Sequence, residues 1–192
     1  MKYFIGNWKM FGVPKSISII NKINFFVKKD KNRNKYRVVI TPPYTLIETF
    51  AKYFKNKLVS IGAQNCFHKD LFSSNTGAIS PYMLKQIGSK YIIIGHSDNR
   101  SEGDSDPMLK NKFRFALMNN EPIWSIGTGM IPGPNDLIKN TSFIKKMLKI
   151  IFNSKKTPPV LYGGSVDSGN IEQFSKINII DGFLIGGASK SS

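Results

Sequence analysis

Five short strings in this chain carry residue types that can do chemistry. They are Asn7-Trp8-Lys9-Met10, Gly95-His96-Ser97-Asp98, Glu121-Pro122-Ile123-Trp124 running on to Gly127-Thr128-Gly129, Tyr162-Gly163-Gly164-Ser165 and Gly186-Gly187-Ala188-Ser189. A lysine ammonium can stabilise negative charge developing on an oxygen, and an imidazole can polarise or protonate it. A carboxylate such as Glu121 can abstract a proton, provided it reaches the acid. Glycines let backbone N–H groups come close to an anion, and amides in loops and at helix starts favour negative charge. Singly each is weak, because a histidine behind an apolar strand is commonly a structural donor and Glu-Pro pairs are common. The joint order and spacing carry the information.

The elements that must position these strings alternate. Short β-branched or aromatic runs at Tyr3–Trp8, Tyr36–Thr41, Leu58–Ala63, Lys90–Gly95, Pro122–Ile126, Pro158–Tyr162 and Asp181–Ile185 predict seven strands. Between them lie stretches of helical period: Ile17, Ile20, Ile23 and Val27; Ile47, Phe50 and Phe54; Leu109, Phe113, Ala116 and Leu117; Ile144, Met147, Leu148 and Ile151. Ser80-Pro81 and Ser105-Asp106-Pro107 read as helix starts, a capping hydroxyl ahead of a proline whose missing N–H costs nothing in the first turn. Repeated βα units imply a parallel sheet with outer helices. No linker or composition break marks a second domain, so residues 1–192 are expected to form one domain.

Composition narrows the classes. With 192 residues, 41% of them hydrophobic, the chain can bury a core. The lone Cys66 cannot form an internal disulfide, and the N-terminus lacks a signal-like apolar stretch, so a cytoplasmic setting is expected. No run approaches the roughly 18 apolar residues of a membrane span, so no membrane partner is expected. The net charge of +16 raises nucleic-acid binding. The lysines are nevertheless spread over every predicted helix, with no arginine stripe or aromatic ladder, so the reading is a solvated basic surface and no nucleic-acid partner. Such a surface still steers a phosphorylated substrate, less so as salt is added.

From Lys2 to Ser189 the five strings, in this order, resemble the mouth loops of the triosephosphate isomerases. The resemblance implies a TIM (β/α)8-type barrel, here shortened to about seven strands, with its site at the C-terminal ends of the strands. It implies interconversion of dihydroxyacetone phosphate and D-glyceraldehyde 3-phosphate by proton transfer through an enediolate, without metal or cofactor. By resemblance Glu121, placed at the mouth end of a strand, is the general base, and His96 is the electrophile. His96 would act as a neutral imidazole at a helix N-terminus, an arrangement for which this family is itself the worked example. Lys9 supplies positive charge at the oxyanion and Asn7 orients the substrate. Asp98 stands where the family's Gly-His-Ser-Glu string has Glu. Gly127, Ser165, Gly186 and Gly187 hold the phosphate, and residues 122–132 form a closing lid.

Two parts of the family pattern are missing. The barrel usually takes about 250 residues. Here His96 and Glu121 are separated by a stretch in which one helix, Ser105 to Met118, is expected where the family also holds a fifth strand with its loop and helix. A single Pro-hydrophobic-x-x-Ile-Gly core, Pro122 to Gly127, stands in place of two, so the resemblance implies that the approach to strand five is fused onto the body of strand six. After the seventh strand nothing remains for a final helix, so the face behind Gly182–Ile185 is expected to be bare or covered by something else. Residues 64–80 resemble the loop that reaches into a neighbouring subunit, implying a homodimer, with a tetramer as the further assembly covering newly exposed faces. The alternative function is an inactive relative that binds phosphorylated small molecules.

Overall fold

The computed structural model describes residues 1–126, 133–152, 157–164 and 166–190. Seven strands, β1 (Lys2–Asn7), β2 (Tyr36–Thr41), β3 (Val59–Ala63), β4 (Tyr91–Ile94), β5 (Glu121–Ile126), β6 (Val160–Tyr162) and β7 (Gly182–Ile185), close in sequence order into a parallel barrel. Of the two ways to absorb a lost strand, a gap or direct pairing, the fold takes the second. β4 and β5 run side by side with Tyr91 opposite Glu121 and Ile94 opposite Trp124. Closure elsewhere depends on a small residue: a Cβ on Gly182 would run into the backbone of Tyr3 on the neighbouring β1.

Alternation along the strands sends one set of side chains inward. Ile5, Val39, Tyr91, Ile93, Ile123, Leu161 and Leu184 pack there as a single cluster. The opposite set packs on the helices. Around β1 to β4 this outer core joins Trp8, Ile40, Ile92 and Ile94 to Ile20 and Val27 of α1 (Ile17–Lys29), Ile47 and Phe50 of α2 (Tyr44–Tyr53), Leu84 of α3 (Pro81–Gln86), and Leu109 and Phe113 of α5 (Asp106–Asn119). A smaller cluster joins Tyr162 and Phe183 to Leu137 of α6 (Pro134–Phe152) and Phe174 of α7 (Ile171–Ser175).

Several local expectations are refined. The Ser80 hydroxyl does cap α3, accepting from Met83 N at 3.2 Å. Ser105 occupies the corresponding position before α5, but its side chain makes no capping bond; its carbonyl accepts from Leu109 N instead. A short helix, α4 (Ser97–Ser101), precedes α5, so two helices rather than one separate His96 from Glu121. Of the two expectations for the face behind β7, bare or covered, the second holds. Phe183 is fully buried against Phe4 and within the cluster of Leu137 and Phe174, and Phe4 meets Tyr36 edge-on. Pro122–Ile126 lies within β5 rather than in a lid, and the remainder of the predicted lid, residues 127–132, lies outside the described residues.

Candidate active site

β1 and β4 deliver their chemistry to one end of the barrel. Asn7 is the last residue of β1 and is almost fully buried. Its Oδ1 accepts from Lys9 N at 3.0 Å. That contact helps to hold Lys9 at φ 52°, a left-handed conformation that costs energy for a residue with a side chain. Gln64 completes the clamp by donating from Nε2 to the Lys9 carbonyl at 2.9 Å and to the Thr41 carbonyl at 3.0 Å. The sequence reading took Gln64 only as the start of a loop. Its role is visible once the ends of β1, β2 and β3 are side by side. Trp8 is fully buried and donates from Nε1 to Ser189 O at 3.0 Å, which ties this corner to the segment after β7.

His96 follows β4 through Gly95, whose φ of 79° turns the chain, and it caps α4. His96 Nδ1 accepts from Asp98 N at 3.1 Å, so the ring proton resides on Nε2 and faces away from the helix start. Burial pushes the imidazole pKa down; the nearby Asp98 opposes this and Lys9 reinforces it. His96 is therefore neutral at pH 7. Its 3.6 Å approach to Asp98 Oδ1 is accordingly not an ion pair there. Lys9 Nζ lies 3.0 Å from Asp98 Oδ2, both side chains about half exposed. The hydrogen bond from Lys9 is the main reason that the Asp98 pKa is lowered. Four expected site residues, Asn7, Lys9, His96 and Asp98, thus belong to one mouth.

Glu121 does not join them. It is the first residue of β5, paired with the first residue of β4, and its N–H donates to Lys90 O at 2.9 Å. In a parallel barrel that is the foot, the end opposite the mouth. The five residue steps from Tyr91 to His96 span roughly 16 Å at the rise of a β-strand. The expectation that Glu121 ends its strand is corrected for a physical reason: Pro122-Ile123-Trp124 is apolar and pairs with β4, so the segment behind the carboxylate becomes the strand. By alternation Glu121 shares the inward face with Ile123. It stands near Tyr3 and Tyr91, whose rings meet edge to face at 6.1 Å. Burial pushes Tyr91 up to about 12, and the Glu121 charge adds to this.

The glycine sites are partly described. Gly186 and Gly187 follow β7, which pairs with β1, so they adjoin the mouth; a Cβ on either would meet open space. The Ser189 hydroxyl donates to Gly186 O at 2.7 Å and fixes this turn. Gly127 and Ser165 lie outside the described residues.

A network behind the mouth ties α5 to the loop after β3. Lys112, nearly fully buried, donates to both carboxylate oxygens of Asp104 at 2.6 Å and to Asn65 Oδ1 at 2.9 Å. No motif announced it. A lysine on an otherwise amphipathic helix reads as surface until its partners are folded around it.

A family model described as "Triosephosphate isomerase" matches residues 2–120 and 117–192. The chain belongs to the triosephosphate isomerase family. The two matched stretches meet at residues 117–120, immediately before Glu121, where the sequence reading placed its junction. Among curated relatives, the triosephosphate isomerase of Wolbachia pipientis is 32% identical over 225 residues, covering 96% of this chain and 87% of the relative. That of Mycoplasma capricolum is 32% identical over 241 residues, covering 98% and 93%. The crystal structure of triosephosphate isomerase from Bartonella henselae superposes with a TM-score of 0.85 at 24% identity, covering 99% of this chain and 94% of that one. It establishes the likeness of fold. Both relatives' alignments run longer than the 192 residues here, as expected of a shortened member.

Proposed function

We propose that the chain interconverts dihydroxyacetone phosphate and D-glyceraldehyde 3-phosphate at this mouth, more slowly than a full-length barrel. The observation that carries the reading is the neutral His96 beside Lys9, brought to one mouth by the C-terminal ends of β4 and β1 in a family of isomerases. His96 Nε2–H and the Lys9 ammonium form an electrophilic pair for the enediolate oxygen, and preorganised donors of this kind supply much of the catalysis in such reactions. Asn7 holds Lys9 in place, and Gly186 and Gly187, with Gly127 and Ser165, are assigned to the phosphate.

The carbon base has to come from a different residue than the family pattern implies. Among the described residues, the carboxylate in contact with both Lys9 and His96 is Asp98. At rest its hydrogen bond to Lys9 makes it a poor base. When a substrate oxygen takes the lysine, that hold weakens and Asp98 is freed to accept the carbon-bound proton. A misplacement of about 1 Å can cost roughly a hundredfold, so a substituted base accounts for slow turnover.

Self-association as a homodimer is part of the same reading. The loop of residues 64–80 is closed at its base by a bond from Phe67 N to Ile79 O at 2.8 Å, yet leaves Leu71 and Phe72 exposed. Apolar groups so presented favour a partner. A tetramer would further cover Phe143 and Ile150 of α6. Among the described residues no helix is long and apolar enough to cross a membrane, and a cytoplasmic setting accompanies this reading.

A coupled assay for triose phosphate turnover, run on wild type, Asp98→Asn and Glu121→Gln, tests the assignment. Turnover lost in Asp98→Asn and kept in Glu121→Gln is the expected result. Loss in Glu121→Gln alone would return the base to the family's position and contradict the foot placement. No turnover in any of them, with phosphoglycolate still bound, would leave a phosphate-binding relative.

A further inference from the structure

The foot of the barrel holds an open groove of about 720 Å³ between the C-terminal ends of α2, α3 and α5. Its volume falls in the range of small-molecule sites. Its lining includes Lys55, Lys85 and Lys90, the apolar side chains of Ile87, Leu117 and Met118, and one carboxylate, Glu121. Lys52, also on the rim, is paired with Glu48 at 2.7 Å. Lys55, Lys85 and Lys90 have no carboxylate within ion-pair distance among the described residues.

Lysines at helix ends have an ordinary explanation, since cations there complement the helix dipole. That explanation accounts for each lysine alone. It does not account for three of them lining one concavity, none in an ion pair among the described residues although Glu121 shares the lining, together with exposed apolar side chains. Leu117 is 47% and Met118 65% exposed, and apolar surface beside concentrated charge suits a ligand that is itself divided in this way. The inner wall also carries an unmet acceptor: Asn120 donates from Nδ2 to Ser89 O at 2.6 Å, while its Oδ1 has no partner.

From this juxtaposition we infer that the foot groove binds an organic polyphosphate of the nucleoside triphosphate class. The phosphates lie against Lys55, Lys85 and Lys90, and the base and sugar lie against Ile87, Leu117 and Met118. The site is separate from the mouth and does not rest on the isomerase reading. Binding here stabilises the fold by linkage, in proportion to occupancy.

The test titrates ATP, without magnesium, into the full chain already saturated with phosphoglycolate at the mouth, following heat by calorimetry. Saturable binding is expected, weakened about tenfold or more in the Lys85→Gln/Lys90→Gln double variant. Phosphoglycolate affinity should be unchanged in that variant. A Lys22→Gln/Lys28→Gln variant, with the same charge loss on α1, should bind ATP as wild type does. Equal weakening in both doubles would reduce the effect to diffuse charge and overturn the site. Inorganic tripolyphosphate binding as tightly as ATP would overturn the apolar half, and no binding at low salt would overturn the whole.

Discussion

β4 and β5 pair directly, yet they present their chemistry at opposite ends of the barrel. β4 is followed by its family loop, and His96 comes off its C-terminal end into a helix cap at the mouth. β5 begins with its carboxylate, and Glu121 lies at the foot. The two residues have equally recognisable strings around them. What separates them is context: His96 needs only the end of its own strand, whereas Glu121 needs a strand before it that this chain does not supply. Site residues fixed by a local strand end survive the loss of a module, and those fixed by the module count do not.

The largest effects should break the comparison outright. Substituting His96 by Ala removes the electrophile, and losses of about a hundredfold or more in turnover are expected for a preorganised donor of this kind. Glu121→Gln should stay within about twofold, since a group roughly 16 Å from the mouth touches no substrate. Steady-state kinetics on the two variants decides it. Comparable losses would mean that β5 adopts a different register in solution from the one that pairs Tyr91 with Glu121.

Next in size is the anchor of the mouth half. Lys112 and Asp104 are an ion pair with side chains only 4% and 13% exposed. Removing one partner leaves a buried charge unpaired, which typically costs about 3–5 kcal/mol. Asp104→Ala should therefore lower the urea midpoint strongly. The exposed pair of Arg100 and Asp106 is a control from the same turn: Asp106→Ala should cost about 0–1 kcal/mol. Similar costs for both would show that burial does not distinguish them.

Much of this was legible in the sequence. The seven strands and their order came from β-branched and aromatic runs, and Asn7, Lys9, His96 and Asp98 came from their strings, because period and short motifs are local signals. The pairing partner of β5 was not legible. Pro122 to Gly127 resembles two family strands at once, and only packing against β4 decides which end Glu121 faces. Gln64, Lys112 and the aromatic cover of Phe4, Tyr36 and Phe183 were illegible for the same reason: each acts on residues far away in the chain.

A smaller effect separates the ends by pH. The His96 pKa is lowered in the fold by burial, so the unfolded chain binds the proton more readily. The stability that accompanies neutral His96 is fully present above the ordinary histidine value of about 6.5 and is lost as pH falls through the lowered folded value. Chemical denaturation from about pH 7 down to pH 5 should show wild type losing more stability than His96→Gln. Identical slopes would mean that burial does not disfavour the imidazolium.

The smallest effect sharpens the comparison from the other end. Glu121 stands beside Tyr3 and Tyr91 and, after burial itself, is the next cause raising the pKa of each phenol. Removing its charge by Glu121→Gln should ease ionisation of Tyr91 from its position at about 12. Spectrophotometric titration of tyrosinate from about pH 10 to about 12.5 should show the variant rising earlier than wild type. A Tyr91→Phe background should remove most of the difference, leaving only the part carried by Tyr3. The direction matters more than the size. A carboxylate at the mouth would leave both foot tyrosines untouched, so superimposable curves would place Glu121 away from them, and an early rise that Tyr91→Phe diminishes would place it at the foot even if no variant had measurable turnover.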